Sequence, residues 1–115
     1  MSHDIDPNTP QVLEDAADLI ELVGWCQEDF EDEYGQVCLM GALNSVTMVR
    51  TTSEGIEPHL LTARRHAEQL LIDHLGLAPV RPTAGHPLPD WNDAEGRTMQ
   101  QVLDALRETA KAARA

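Results

Sequence analysis

The sequence is poor in basic and in aromatic side chains. Its 115 residues contain eight Lys and Arg against 20 Asp and Glu, for a formal net charge of −12, and only two Trp, one Tyr and one Phe. Binding nucleic acid without sequence preference needs clustered basic residues, because phosphates repel an acidic surface. Anionic membranes are disfavoured for the same reason. We therefore expect neither nucleic acid nor a membrane among its partners.

The sequence also lacks a long apolar run and a basic N-terminus. No stretch approaches the roughly 18 apolar residues that a membrane-spanning helix needs, and acids stand where a secretory signal has its basic region. These absences predict a cytoplasmic protein. Its two cysteines, Cys26 and Cys38, are then expected to be free thiols rather than a disulfide.

The negative charge is concentrated at the start of the chain. Residues 1–35 contain eleven acids and no Lys or Arg, whereas the rest of the chain is nearly neutral with nine acids and eight bases. An uneven distribution of this kind predicts a local acidic surface. The eleven acids are Asp4, Asp6, Glu14, Asp15, Asp18, Glu21, Glu28, Asp29, Glu31, Asp32 and Glu33.

Apolar periodicity and helix-end signals predict the first two helices. Thr9 followed by Pro10 is typical of an N-cap and a first helical residue, and Gly24 is typical of a helix end. In this first helix the acids lie opposite the apolar residues. A second helix, apolar on almost every side, is predicted over Val37–Val49, and the same pattern also fits a strand over Val37–Met40.

Two further helices are predicted in the second half of the chain. One runs over Pro58–Leu75 and stops at Gly76, and the other begins after a cap at Thr98. We expect residues 1–8 to form a flexible N-terminus and residues 9–115 to form a single helical domain.

Two connections separate these helices. Trp25–Gly35 carries five carboxylates without a regular period, which predicts an acidic loop. Ala78–Pro89 contains four prolines, which predicts an extended, non-helical loop. The expected fold is therefore all-α: a small single-domain bundle of about four helices with a long acidic loop and a Pro-rich loop.

Three short motifs follow one another in a recognisable order. They are Trp25-Cys26-Gln27, the run from Cys38 to Leu43, and Trp91-Asn92-Asp93 with the following Gly96-Arg97-Thr98. In this order the sequence resembles an uncharacterised family of small proteins encoded by actinobacteria and their phages. The resemblance extends over residues 12–107, and it implies an architecture but no activity.

The cysteines and His86 raise two chemical hypotheses. A nucleophilic Cys26 or Cys38 would need a nearby His, and His86 with Asn92 or Asp93 supplies the residue types. The two cysteines and His86 could also begin a zinc site, but the sequence has no CxxC or HxxxH pair to start one. We favour buried structural thiols, with no catalytic residue, no cofactor and no metal.

The acidic loop also invites comparison with a calcium-binding loop. Asp29, Glu31 and Glu33 alternate as EF-hand ligands do, but Tyr34 stands where a Gly is required and Met40 where a bidentate Glu belongs. We therefore expect a solvated loop rather than a calcium site.

The motif around Trp91 has a structural interpretation. Trp91 is expected to pack against the bundle, and Asn92 or Asp93 to cap a short turn. Arg97 is expected to pair with Asp93 or with acids of the first helix.

Together these features favour a non-catalytic interaction protein whose acidic surface binds a basic patch on another protein. If the gene is carried by a phage, that partner is a host protein. One alternative is an enzyme or metal-binding protein that uses Cys26, Cys38 and His86, and another is a homodimer. The expected interaction surface consists of Glu14, Asp15, Asp18, Glu21, Glu28, Asp29, Glu31, Asp32 and Glu33.

Overall fold

The computed structural model describes residues 6–48, 58–78, 80 and 85–115. Over these residues the protein is all-helical, with five helices and, in place of strands, two isolated β-bridges. The all-α prediction is confirmed, and the expected count of about four helices is one too low. The helices are α1 Thr9–Val23, α2 Leu39–Met48, α3 Pro58–Leu75, α4 Pro87–Asp93 and α5 Met99–Arg114.

The additional helix is α4, which begins inside the segment predicted to be extended. Pro87 and Pro89 lie in its first turn, where a proline removes no intrahelical hydrogen bond. His86 is the N-cap, and its Nδ1 accepts from the backbone N–H of Leu88 at 3.2 Å. The non-helical prediction is therefore wrong from Pro87 onwards, because prolines exclude the interior of a helix but not its start.

The ends of the other helices follow local signals in most cases. The α3 helix has the predicted bounds, and α5 begins after Thr98, whose hydroxyl accepts from Gln101 N in a capping box. Thr9, however, is the first residue of α1 rather than its N-cap, and its buried hydroxyl has no hydrogen-bond partner. Gly24 ends α1 with φ 99° and donates its N–H to Ile20 O at 2.8 Å.

The apolar helix α2 begins two residues later than expected because Val37 is held in the preceding loop. Val37 forms a parallel bridge with Trp25 and an antiparallel bridge with Glu31. Its N–H donates to Gly24 O at 3.0 Å, and its carbonyl accepts from Cys26 N at 3.1 Å. Val49, the expected last residue of this helix, lies outside the described residues.

A single cluster of buried side chains joins the helices. The apolar face of α1 packs against α5 and α2, and α3 and α4 close the remaining sides. Leu13, Ile20, Leu43, Leu71 and Leu106 are fully buried in this core. None of the helices within the described ranges is long and apolar enough to cross a membrane.

Candidate functional site

The motifs that the sequence singles out meet around one buried side chain, Asn92. Its Oδ1 accepts from the indole N–H of Trp25 at 2.8 Å and from the backbone N–H of Leu39 at 3.0 Å. Its Nδ2 donates to the carbonyl of Cys26 at 3.2 Å and to Asp93 Oδ1 at 2.9 Å. The indole and the backbone amide can only donate, which fixes the orientation of the Asn92 amide. The side chain is therefore fully hydrogen-bonded while completely buried.

Gln27 of the first motif and the following residue, Glu28, also bind the end of α4. Gln27 Nε2 donates to the carbonyls of Asn92 at 3.0 Å and Ala94 at 3.1 Å. The backbone N–H of Glu28 donates to Asp93 Oδ1 at 2.8 Å. We call this set of Trp25, Cys26, Gln27, Leu39, Asn92 and Asp93 the Asn92 cluster. It fastens the loop between α1 and α2 to α4.

Arg97 contacts Trp91 rather than an acid. Its guanidinium lies over the Trp91 ring, 4.1 Å from the centroid, and its Nε donates to the Trp91 carbonyl at 2.8 Å. A cation on an aromatic face is a favourable arrangement. The expected pairing with Asp93 or with acids of α1 is not formed, because Asp93 already accepts from Glu28 and Asn92. Trp91 packs against the core cluster and remains partly exposed.

The two cysteines are free, buried thiols. Cys26 Sγ lies 3.4 Å from the carbonyl of Asp29 and 3.3 Å from that of Gln36, and both accept its hydrogen. Burial, together with the negative charge of Asp32, raises the pKa of Cys26 to about 11. Burial likewise raises the pKa of Cys38, whose Sγ accepts from Gly41 N at 3.3 Å in the first turn of α2. Both side chains are poor nucleophiles, because the reactive form of cysteine is the thiolate.

His86 faces a different part of the protein. Its Nε2 lies 3.0 Å from Glu68 Oε1, and its Nδ1 accepts from Leu88 N. Both ring nitrogens are thus engaged away from the cysteines. Among the residues that the structure describes, no three His, Cys, Asp or Glu side chains are placed to hold a metal ion, and this includes the set of Cys26, Cys38 and His86.

The acids of α1 and those of the following loop have different surroundings. Arg107 of α5 lies 2.6 Å from Glu21 Oε1 and 3.4 Å from Asp18 Oδ1, and Arg114 pairs with Glu14. A hydrogen bond and the charge of Arg107 lower the pKa of Glu21. Asp15 accepts from Gln11 Nε2. The α5 cations therefore balance part of the charge on α1, which is a property that the sequence count does not reveal.

The acidic loop, Trp25–Gly35, presents carboxylates and aromatic rings together. Phe30 is 58% exposed and Tyr34 is 79% exposed. Asp32 Oδ1 accepts from Tyr34 N and Gln36 N, which stabilises the turn. The remaining acids of this loop have no ion pair with a basic side chain in the described part of the chain. These remaining acids are Glu28, Asp29, Glu31 and Glu33.

Gly41 allows the acidic loop to lie directly on α2. Cys38 N donates to Phe30 O at 3.2 Å. A Cβ atom built on Gly41 would lie 2.0 Å from that same carbonyl oxygen. The close neighbour at Gly41 is therefore the backbone of Phe30.

The cavity beside the Asn92 cluster is small. Its volume is about 60 Å³, and its lining includes Cys38, Pro89, Asp93 and three acidic-loop residues. Small-molecule sites usually measure about 300–1,000 Å³. A cavity of about 230 Å³ lies on α3 against Leu61, Arg64, Arg65 and Glu68, away from the motifs. The cavity at the motifs is therefore smaller than a typical small-molecule site.

Comparison with known proteins assigns the family. Residues 4–112 match DUF6197, described as a family of unknown function. The chain belongs to this family, because the match extends over nearly its full length. Neither the search of curated proteins nor the search of solved structures found a match.

Proposed function

We propose that this DUF6197 protein is a non-catalytic interaction protein whose acidic loop binds a basic patch on another protein. The observation that carries the proposal is the exposure of Phe30 and Tyr34 among carboxylates that have no basic partner within the described residues. Aromatic side chains contribute much of the binding energy at protein interfaces. Carboxylates around them select a cationic partner and accelerate its association.

The loop is better suited to this role than the acidic face of α1. Glu14, Asp18 and Glu21 on α1 already pair with Arg107 and Arg114. A partner that bound α1 would have to compete with these two arginines. A partner at the loop meets carboxylates without such competition and can place a guanidinium on the exposed face of Tyr34.

The loop is also held in shape before any partner arrives. The Asn92 cluster anchors its first half, the two Asp32 hydrogen bonds shape its turn, and Val37 forms β-bridges with Trp25 and Glu31. A surface ordered in advance loses less conformational entropy on binding. We place the interaction in the cytoplasm, and the two free thiols support this assignment. In a phage-borne copy of the gene, the partner is a protein of the host.

The test compares two variants that remove the same charge from different places. The loop variant carries Glu28→Gln, Asp29→Asn, Glu31→Gln and Glu33→Gln, and the α1 variant carries Glu14→Gln, Asp15→Asn, Asp18→Asn and Glu21→Gln. Each variant and the original protein are immobilised and exposed, at low and at high salt, to a lysate of cells that express the original protein. We expect a basic protein to be retained at low salt by the original chain and the α1 variant, and to be lost from the loop variant.

A second pair of variants examines the aromatic contribution. Phe30→Ser with Tyr34→Ser is expected to abolish retention of the same protein. Leu22→Ser is the control, because Leu22 is also a highly exposed apolar residue, at 82%, but lies on α1. Retention that is insensitive to salt, or that is lost equally in the loop and α1 variants, would contradict the proposal.

A further inference from the structure

His86 connects α3 to the start of α4 through both ring nitrogens. Leu88 N lies 3.2 Å from Nδ1, and Glu68 Oε1 lies 3.0 Å from Nε2. A backbone N–H can only donate, so Nδ1 must carry a lone pair, and the single proton of the neutral ring must be on Nε2. This one tautomer satisfies both contacts. The His86 side chain is 23% exposed, so solvent protons can reach it.

Among the residues that the structure describes, the charged groups around the ring do not provide an acceptor for a second proton. On α3, Glu68 Oε1 already accepts the Nε2 hydrogen, and Glu68 Oε2 accepts from Arg64 Nε at 3.0 Å. Arg65 lines the cavity on α3 together with Glu68. The α2 helix, which also packs against α4, contains no charged residue. On α4 itself the acids are Asp90 and Asp93, and Asp93 is engaged with Glu28 N and Asn92. A proton on Nδ1 would therefore point at the Leu88 N–H.

We infer that His86 is an acid-sensitive latch: protonation of its Nδ1 breaks the N-cap of α4 and loosens the hold of Asn92 on the loop between α1 and α2. The α4 helix has seven residues, or about two turns. Its start and the Asn92 cluster are therefore close together along the same short element. The Glu68 contact survives protonation, because Nε2 keeps its hydrogen in both states. This inference does not depend on the proposed function.

The first test is the tautomer of the ring. Nitrogen-15 NMR of the intact protein above the titration of His86 is expected to show a protonated Nε2 and an unprotonated Nδ1. The opposite tautomer would overturn the inference, because Nδ1 could not then accept from Leu88.

The second test follows two hydrogens through the titration of His86. The exchange protection of the Leu88 amide is expected to fall about fivefold as the ring becomes protonated, the factor typical of a lost N-cap. Protection of the Trp25 indole N–H is expected to fall with the same midpoint, because its acceptor is Asn92. Unchanged Leu88 protection would overturn the latch, and unchanged Trp25 protection would overturn its connection to the loop.

Two variants separate His86 from other titrating groups. His86→Asn supplies an N-cap acceptor that does not titrate, so Leu88 protection is expected to remain constant over the same pH range. His74→Asn removes a histidine that contacts Glu108 on α5, and it is expected to leave the pH dependence of Leu88 intact. The inference fails if His86→Asn retains that dependence or if His74→Asn abolishes it.

Discussion

The indole N–H of Trp25 donates to Asn92 Oδ1 at 2.8 Å across 67 residues of sequence. The same oxygen accepts from the first amide of α2, Leu39 N. One buried amide therefore binds the loop after α1, the start of α2 and the end of α4. An unpartnered backbone amide at a buried helix start is costly, so this side chain supports both the loop and the core.

Replacing Asn92 is expected to cause a large loss of stability. Asn92→Ala leaves Trp25 Nε1, Leu39 N and the Cys26 carbonyl without their partner, so the free energy of unfolding should fall by about 3 kcal/mol or more. Denaturant unfolding measures this. Asn8→Ala is the matched control, since Asn8 is exposed and its side chain makes no capping hydrogen bond. Similar losses in both variants would argue against the central role of Asn92.

Gly41→Ala tests the close contact between the acidic loop and α2. In an unobstructed helix this change would add about 1 kcal/mol of stability. Here the new Cβ would meet Phe30 O at 2.0 Å, so we expect a loss of about 2 kcal/mol and altered NMR shifts for the loop amides. Ser45→Ala on the same helix should change stability little. A more stable Gly41→Ala protein with unchanged loop shifts would show that no such contact exists.

Two buried threonines are expected to respond in opposite directions to the same substitution. Thr109 Oγ1 is buried and has no hydrogen-bond partner, so Thr109→Val should raise the free energy of unfolding by about 1 kcal/mol. Thr47 Oγ1 donates to Leu43 O at 2.7 Å, so Thr47→Val should lower it by a similar amount, about 1 kcal/mol. Thermal and denaturant unfolding of both variants decide the point. Destabilisation by both would mean that Thr109 has a partner after all.

The Cys26 thiol predicts a loss of stability at alkaline pH. Its pKa in the folded protein is about 11, above the ordinary value of 9.0. A pKa raised by folding gives stability that is complete below pH 9.0 and declines as pH rises through about 11. The loss should reach about 2–3 kcal/mol at most. Cys26→Ala should show a shallower decline over this range in denaturant unfolding, and an identical pH profile would contradict the assignment.

The ion pairs between α1 and α5 predict a titration effect at one carboxylate. Arg107 lowers the pKa of Glu21 by a hydrogen bond and by its charge. Arg107→Gln should therefore raise the pKa of Glu21 toward its usual value, as followed by NMR of its side-chain carbonyl carbon. Arg114→Gln should leave Glu21 unaffected, because Arg114 pairs with Glu14. An equal shift in both variants would indicate a general field rather than a specific pair.

Three helices could be predicted closely from the sequence because their ends are local. Pro10 and Gly24 mark α1, Pro58 and Gly76 mark α3, and the capping box of Thr98 starts α5. Each of these signals acts within about one turn of the chain, so neighbouring residues are sufficient to read it.

The fifth helix could not be predicted in this way. Four prolines between residues 78 and 89 indicate an extended segment. Helix α4 nevertheless forms, since His86 caps it and its Leu88 and Asn92 side chains are buried in the core. Burial of these two side chains depends on α2 and α3, which are distant in sequence.

By itself the sequence determined the helical class, most helix ends, the motif residues and the formal net charge of −12. Only the tertiary structure decided that Asn92 joins the motifs, that Arg97 lies on Trp91, and that Arg107 and Arg114 balance α1 while the acidic loop keeps its charge. The physical reason is the distance along the sequence over which each interaction acts. Helix propensity and capping act between neighbours, whereas a buried amide and an ion pair need partners that only the packing of the helices brings within about 3 Å.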